Sequence, residues 1–401
     1  MTGRPTGNHL RLSLIGVIAL ASIVTMAARA DAHALLTSSD PPAGATLARS
    51  PTQVIITFSE QPDPNLSTIK VLDSSGQVHA GGHPQPVAGQ AATMRIAVPN
   101  LANGVYTVTW QTVSKVDGHL AGGAYAFGVG VSPAGATLPK TAVPRTPRPS
   151  TVAVVSRWAY LVGLIGLLGL SFTEVVLAPG ESAWPRLRRG LVVAWLLAAL
   201  GAAGITQTQR ISAHVRLDHV LASSLGHSLK VRAVPLLLAG ALLGVVLVRR
   251  RARRRASVAL VGAAGLGAML ADVTVGHPAA VHGWEWFRVG TQWAHIAAVG
   301  LWVGGLAGLL LILGAVSAER RGPLARRFSL VAGIALLAVL ATGTLRALDE
   351  VGTWHGLFST GFGQLIIVKI TLLGVLALLG AINRYRNVPT ATARPHGLRR
   401  V

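Results

Sequence analysis

Hydrophobic and polar positions follow two different patterns along this chain. In the first part, short runs of alternating apolar and polar residues are separated by turn-forming Pro, Gly, Asn and Asp residues. Such alternation is typical of half-buried β-strands. The predicted strands are Gln53–Phe58, Ser67–Leu72, Thr93–Val98, Val105–Thr112 and Gly123–Val129. Several strands within about 100 residues predict an all-β, two-sheet sandwich, in which Tyr106, just after a turn, is a candidate tyrosine-corner residue.

Beyond about residue 150 the pattern changes to long apolar segments with short polar interruptions. Seven segments are near the length of roughly 20 residues that a membrane-spanning helix needs. They cover about residues 152–177, 188–205, 232–248, 256–275, 291–316, 327–346 and 363–383. An eighth span would require residues 206–230 to enter the membrane, and that stretch is too polar. We therefore expect an α-helical polytopic membrane domain, with the lipid bilayer as its partner.

The distribution of charge agrees with membrane insertion. Hydrophobic residues make up 51% of the 401 residues, and charged residues only 12%. The net charge of +22 would suit nucleic acid, but the arginines form short runs in every second loop. These runs are Arg186–Arg189, Arg249–Arg255, Arg320–Arg327 and Arg384–Arg386. Because cytoplasmic loops are rich in Lys and Arg, we expect the N-terminus outside, the C-terminus in the cytoplasm and no nucleic-acid partner.

The N-terminus has the features of an export signal. Arg4 and Arg11 precede a short apolar run, and an Ala-x-Ala motif ends at Ala32. The apolar run is too short for a comfortable membrane span. Residues 1–32 are therefore predicted to be a cleaved signal peptide, which makes His33 the first residue of the mature protein. An N-terminal histidine offers its α-amine and its ring Nδ1 to one metal ion.

Two further candidate ligands follow the fourth predicted strand. Asp117 and His119 are two residues apart, so in an extended segment their side chains point to the same side. By themselves they also fit an Asp-Gly turn beside a surface histidine. Nitrogen and oxygen donors suit copper(II). Because the chain has no cysteine and Met94 stands alone in this region, neither a thiolate site nor a Met-rich copper(I) site is expected. His79 and His83 are interpreted as exposed loop histidines.

Three stretches of this region resemble CopC-type copper-binding proteins. They are His33-Ala-Leu-Leu-Thr-Ser-Ser-Asp-Pro-Pro-Ala-Gly, Leu101-Ala-Asn-Gly-Val-Tyr-Thr-Val-Thr-Trp, and Asp117-Gly-His119 with the following Gly122-Gly-Ala-Tyr-Ala-Phe-Gly-Val. The resemblance implies an immunoglobulin-like β-sandwich that binds copper(II) in a histidine brace. It implies that His33 supplies its amine and ring nitrogen, His119 a second imidazole and Asp117 a carboxylate.

Polar residues inside membrane spans are costly and tend to be functional. Asp272 and His295 lie near the outer ends of the fourth and fifth apolar segments, and His277 lies in the loop between them. Together they form a candidate path that passes copper inward. The alternative is structural: Lys369 in the seventh segment would pair with Asp272 or Glu174, and the histidines would lie at the membrane interface.

The second half of the chain resembles CopD-type copper resistance membrane proteins. The resemblance is carried by Gly276-His-Pro, by His295-Ile-Ala-Ala-Val-Gly-Leu-Trp-Val-Gly-Gly, and by Gly361-Phe-Gly-Gln-Leu with the later Asn383-Arg-Tyr-Arg. It is good from about residue 276 to 386. The resemblance implies movement of copper across the cytoplasmic membrane, usually inward, and eight spans rather than seven.

Together these features predict a multi-pass protein of the cell membrane that binds copper ions outside and transports copper, most simply by import, in copper homeostasis or resistance. The expected organisation is a signal peptide (1–32), a β-sandwich (33–130), a Pro-rich linker (131–150), a membrane domain (151–386) and a basic cytoplasmic tail (387–401). The alternatives are a copper-dependent redox enzyme and a membrane haem or copper reductase. We expect no enzyme, because Asp117 fills a coordination position that oxygen would need and the histidines gather on one side. The sequence identifies no copper chaperone.

Overall fold

The structure is a computed structural model. Its fold changes from β-sheets to helices at about residue 150. It describes residues 36–115, 120–135, 150–177, 183–212, 224–248, 254–276, 284–351, 353–382 and 384–385. The described residues before 150 form β-sheets, and those after it form helices. Both predicted fold classes are therefore confirmed.

The β-sheets form a sandwich. Its described strands are β1 (Leu36–Asp40), β2 (Thr46–Leu47), β3 (Gln53–Phe58), β4 (Thr68–Asp73), β5 (Val78–Gly82), β6 (Gln85–Val87), β7 (Gln90–Ala97), β8 (Gly104–Val113) and β9 (Leu120–Val129). One sheet has the order β1-β3-β7-β6, and the other has the order β2-β9-β8-β4-β5. The short strand β2 pairs with β9 in parallel, whereas the neighbouring β8 and β9 form a long antiparallel pair.

An apolar core lies between the two sheets. Burial alternates along β3, where Val54, Ile56 and Phe58 are buried and their neighbours are only partly so. The ring of Phe58 lies edge-on to Trp110 of β8, with 6.2 Å between the ring centroids. Because alternate side chains of a strand point to one face, this packing explains why alternation predicted the strand.

Tyr106 fixes a corner of the sandwich. It is buried near the start of β8, and its Oη donates a hydrogen bond of 2.9 Å to the carbonyl oxygen of Ala102. A tyrosine that bonds back to the backbone a few residues upstream is the tyrosine corner, as predicted. Burial, together with the charge of Asp73, raises the pKa of the Tyr106 phenol.

The described helices begin with α1 (Thr151–Phe172), which continues as a π-helical segment (Thr173–Leu177). They go on with α2 (Trp184–Ser212), α3 (Ser224–Val248), α4 (Arg254–Thr274), α5 (Glu285–Val299) with a π-helical segment (Gly300–Gly304) leading into α6 (Gly305–Leu313), α7 (Ala318–Val351), α8 (Trp354–Ser359) and α9 (Gly361–Ile382).

Seven stretches of the described residues are helices long and apolar enough to cross a membrane. Numbered span 1 to span 7, they are Thr151–Leu177, Trp184–Ile211, Gly226–Val248, Arg254–Thr274, Glu285–Leu313, Ala318–Asp349 and Gly363–Ile382. They correspond one by one to the seven predicted segments. The eight spans that the CopD resemblance implies are not found among the described residues.

Span 1 lies at the centre of the helical bundle, and span 7 lies at its edge. Buried residues make up 61% of the apolar stretch of span 1 and 0% of that of span 7. Tyr160 and Leu167 of span 1 are fully buried. A Cβ atom on Gly169 would overlap the backbone of Gly304, so glycine is required where spans 1 and 5 cross. Small residues allow this close approach of two membrane helices.

Candidate functional site

The residues predicted to form the copper brace, His33, Asp117 and His119, lie outside the described residues. The strands that flank them are described. β1 begins at Leu36, and the connection between β8 and β9, residues 114–119, contains Asp117 and His119.

The start of β1 and the β8–β9 connection lie at the same end of the sandwich. Leu36 pairs with Phe58 in β3, and the ring of Phe58 contacts that of Trp110. Trp110 is three residues from the end of β8. The two chain segments that carry the predicted copper ligands therefore leave the sheets at one end.

Two buried carboxylates that the sequence analysis did not single out lie at this end. Glu60 and Asp63 are each 4% exposed and follow β3. The amide of Asp63 donates to the carbonyl oxygen of Val113, at the end of β8, over 2.8 Å. Oδ1 of Asp63 accepts from the amide of Asn65 at 2.9 Å. Isolated acidic residues in a loop carry no spacing signal, so only the structure reveals that they are buried.

The interpretation of His79 as an exposed loop histidine is wrong. His79 lies in β5, is half-buried, and its Nε2 is 2.7 Å from Oδ2 of Asp73. Hydrogen bonds from Ser75 and from His79 hold the pKa of the Asp73 carboxyl well below its usual range. His83 is exposed, as expected, and its Nδ1 lies 3.0 Å from a backbone carbonyl oxygen.

Asp272, near the end of span 4, is buried against arginines of two other spans. Nη1 and Nη2 of Arg157, in span 1, donate to Oδ1 and Oδ2 over 2.7 Å and 2.8 Å. Nε of Arg232, in span 3, donates to Oδ1 over 2.9 Å. The side chains of Asp272 and Arg232 are 2% and 7% exposed, and that of Arg157 is 43% exposed. Arg157, Arg232 and Asp272 are named the Asp272 cluster below.

Glu174 lies at the opposite end of span 1, in its π-helical segment, and is 1% exposed. Its Oε1 accepts from Nε and Nη2 of Arg254, the first residue of span 4, at 3.0 Å and 2.9 Å. The Arg254 guanidinium also lies over the ring of Trp184, 4.8 Å from the centroid. Next to it, Nε of Arg255 donates to the carbonyl oxygen of Val175 at 2.9 Å. Glu174 and Arg254 are named the Glu174 pair.

The predicted pairing of Lys369 with Asp272 or Glu174 is therefore wrong. Both carboxylates have arginine partners, and Lys369 is exposed on span 7. The reason is helix packing: span 4 packs against span 1, whereas span 7 packs against span 6 at the edge of the bundle.

His295 of span 5 is held by span 6. Its Nδ1 lies 2.9 Å from Oγ1 of Thr342. That hydroxyl donates to the carbonyl oxygen of Ala338 over 2.6 Å, so it accepts from the Nδ1–H group. In the neutral ring the free lone pair is then on Nε2, which is the arrangement of a metal-binding histidine whose other nitrogen donates a hydrogen bond. His277 lies outside the described residues.

Asp272 and His295 are not gathered in a ready-made metal site. Among the residues that the structure describes, no group of three or more His, Cys, Asp and Glu side chains is close enough to hold a metal ion. The role of Asp272, His277 and His295 in copper passage therefore stays a prediction.

Two parts of the chain match known protein families. Residues 36–130 match the CopC domain, and residues 322–401 match copper resistance protein D. The copper transport protein CutJ of Bacillus subtilis (strain 168) is 28% identical over 392 residues, which are 92% of this chain and 70% of CutJ. These are descriptions of copper-binding and copper-transport proteins and not of enzymes, as the sequence analysis predicts.

Two solved structures are similar to the N-terminal part. CopC from Methylosinus trichosporium OB3b is 33% identical, with 24% of this chain and 93% of that chain covered and a TM-score of 0.23. PcoC, a copper resistance protein from Escherichia coli, is 28% identical, with 24% of this chain and 98% of that chain covered and a TM-score of 0.20.

Proposed function

This chain carries a CopC domain followed by a copper resistance protein D segment, and on that premise we propose that it captures copper(II) outside the cytoplasmic membrane and imports copper. The observation that carries the proposal is the presence of both matches in one chain, together with seven apolar spans among its described residues. A tether between two binding modules raises the effective concentration of the bound ion at the second module. A copper-binding sandwich joined to membrane helices therefore supplies its cargo at the membrane surface.

In this proposal copper(II) is held by the α-amine and Nδ1 of His33, an imidazole nitrogen of His119 and a carboxylate oxygen of Asp117. Tetragonal coordination by nitrogen and oxygen suits copper(II). The common end of the sandwich at which β1 begins and the β8–β9 connection lies supports the proposal. So does Met94, which is 1% exposed in the core, because its thioether is not on the surface where a soft copper(I) ligand would be needed.

The proposed orientation has the sandwich outside and the tail inside. Residues 1–32 are the cleaved signal peptide, and 33–130 the exported domain. The linker is 131–150, the membrane domain 151–386 and the cytoplasmic tail 387–401. The arginine runs in alternate loops support this orientation. A membrane potential that is negative inside then favours cation entry by about 2.3 kcal/mol per charge per 100 mV.

We assign the first step through the membrane domain to Asp272, His277 and His295. The Nε2 lone pair of His295 supports its part as a ligand. Asp272 already accepts hydrogen bonds from two guanidinium groups, so a copper ion that binds its carboxylate shares it with these two cations. Single substitution of each residue tests this assignment by the rate of copper uptake, and unchanged uptake in all three variants would contradict it.

The function is tested by cell-associated copper in cells with the protein, without it, and with His33→Ala. We expect copper to rise with the protein and His33→Ala to abolish the rise, because the brace loses the Nδ1 donor and with it the chelate ring that Nδ1 closes with the α-amine. His83→Ala, which removes a different histidine of the same domain, is the matched control and should leave uptake unchanged; His83 is exposed. A fall in copper with the wild-type protein would show outward transport or shielding.

A further inference from the structure

The linker leaves the β-sandwich at the end opposite to the predicted copper brace. β8 and β9 pair over their whole length, from Val113 with Leu120 at one end to Gly104 with Val129 at the other. The first of these ends, where β1 also begins and the β8–β9 connection lies, is named the brace end below. The linker follows β9 at the second end. Nine residue steps of 3.2–3.4 Å along β9 separate the two ends by about 30 Å.

Packing holds the chain at this second end. Gly130 has a φ of 68°, and a Cβ atom there would overlap the side chain of Asn103, which precedes β8. The amide of Gly130 donates to the carbonyl oxygen of Leu47 over 2.8 Å. Pro133 is buried, and its Cδ would lie 3.2 Å from a Cβ atom on Gly128. The chain is therefore bound to the sandwich as far as Pro133, and the free length of the linker starts only there.

The other end of the linker joins the membrane domain close to Asp272. Ser150 caps span 1, since its Oγ accepts from the amide of Ala153 over 3.2 Å. Arg157, which binds Asp272, is seven residues further along the chain, or about 10 Å at 1.5 Å per residue. The proposed first ligand in the membrane domain therefore lies near the point where the linker ends. Copper in the brace starts from the far end of the sandwich.

We propose that the sandwich turns over on its linker and presents its brace end to the outer end of span 1, so that copper passes directly to the membrane domain. This inference rests on the proposed function, which supplies the donor and the acceptor of copper. Fifteen residue steps separate Gly135 from Ser150, and they reach at most about 50 Å. That reach exceeds the length of the sandwich, about 30 Å. Because a linker that cannot span two sites gives almost no effective concentration, delivery depends on linker length.

The first test measures copper uptake by cells that carry the full chain with a changed linker. Deletion of residues 137–148 leaves a reach of about 10 Å and should abolish uptake as completely as His33→Ala. Copper(II) binding by the same variant in nanodiscs should keep the wild-type stoichiometry. Replacement of residues 137–148 by twelve Gly and Ser residues restores the length and should restore uptake. Deletion of residues 141–144 alone leaves about 36 Å and should preserve it.

Wild-type uptake after deletion of residues 137–148 would overturn the proposal, as would loss of uptake in the length-matched replacement. In the first case the brace end need not reach span 1, and in the second the linker acts through its sequence and not through its length.

The second test measures position and needs no transport. The chain has no cysteine, so spin labels can be attached to introduced ones in the metal-free full chain in nanodiscs. Asn65→Cys labels the brace end, in the exposed part of the loop between β3 and β4, and Val152→Cys labels the start of span 1. With the intact linker we expect distances between these labels below about 20 Å. Deletion of residues 137–148 should remove them, because a sandwich of about 30 Å then hangs on about 10 Å of chain.

Ala102→Cys, exposed at the opposite end of the sandwich, is the matched control and should stay close to Val152→Cys after the deletion. Absence of short distances between Asn65→Cys and Val152→Cys with the intact linker would overturn the proposal even where copper uptake is confirmed. Short distances without copper uptake by the wild-type protein would support the turning of the sandwich and contradict the proposed function.

Discussion

Spans 1 and 4 are joined at both of their ends by an ion pair whose carboxylate is buried, and the two pairs have opposite order. At one end the arginine is on span 1 and the acid on span 4, as Arg157 and Asp272. At the other end the acid is on span 1 and the arginine on span 4, as Glu174 and Arg254. The 17 residues from Arg157 to Glu174 correspond to about 25 Å at 1.5 Å per residue. This spacing is close to the hydrocarbon thickness of a bilayer, about 30 Å.

The two ends differ in which polar atoms have no hydrogen-bond partner among the described residues. Both oxygens of Asp272 accept hydrogen bonds, and Nη1 of Arg232 stays without an acceptor among the described residues. Glu174 uses only Oε1, and its buried Oε2 has no donor within the same described part of the chain. One end is therefore rich in donors and the other in acceptors.

The largest effect is expected for Asp272→Asn. Both oxygens of Asp272 face guanidinium donors, so the new amide group must turn its own donors towards one of them. Arg232 is buried and loses its countercharge. We expect the free energy of unfolding of the full chain in nanodiscs to fall by about 3–5 kcal/mol, as for a broken buried ion pair. Asp349→Asn is the matched control: its ion pair with Arg288 is 40% exposed on the Asp349 side, and about 1 kcal/mol or less is expected.

A smaller effect is expected for Glu174→Gln. The amide oxygen can accept from Arg254 as Oε1 does, and the amide nitrogen can take the position of Oε2, which faces no donor among the described residues. We expect a loss of about 1.5–3 kcal/mol, the scale of a hydrogen bond to a charged group, in the same unfolding measurement. A loss as large as that of Asp272→Asn would contradict the difference between the two ends.

Arg157→Gln tests how much each of the two arginines of the Asp272 cluster contributes to the stability of the folded chain. Arg157 is 43% exposed, and solvent screens its charge, while the buried Arg232 keeps its bond to Asp272. We expect a loss of about 1 kcal/mol or less, against a clearly larger loss for Arg232→Gln. Equal losses of unfolding free energy in the two variants would show that the burial of an arginine does not determine its contribution to stability.

The smallest effect is expected for Ser171→Ala, one turn before Glu174. The Ser171 hydroxyl is buried and has no hydrogen-bond partner in the described part of the chain. Its removal should change the free energy of unfolding by roughly zero or raise it slightly, because no bond is lost. Thr173→Val is the control, since the Thr173 hydroxyl donates to the carbonyl oxygen of Gly169 at 2.8 Å. A loss of about 1 kcal/mol is expected there.

The sequence predicted the central strands but not the edges of the sheets. β3 has the predicted bounds because its alternating residues face a core on one side. The four strands that were not predicted, β1, β2, β5 and β6, are the edge strands of the two sheets. Edge strands are short and bury little apolar surface, so Ser, Gly and Pro replace the alternating pattern there.

The sequence also predicted the spans but not their ion pairs. The length of an apolar segment is enough to predict a span, whereas the ion-pair partner of a charged residue depends on which helices pack together. Arg157 lies inside an apolar run and gave no sign of its role, and Lys369 was considered only because it is another cation inside a span. For the copper brace the sequence supplies the donor types. The distances between His33, Asp117 and His119 depend on how the sandwich brings distant segments to one end, so the brace stays a prediction.

The opposite order of the two ion pairs also limits how the bundle can move. If span 1 slid along span 4 by one turn, about 5.4 Å, Arg157 would leave Asp272 and Glu174 would leave Arg254 at the same moment. Rotation of either helix about its axis would separate both pairs as well. Spans 1 and 4 are therefore expected to travel as one rigid body. Any rocking that opens the bundle to one side must run along its contacts with other helices, and span 7, which buries none of its apolar stretch, is the least constrained of them.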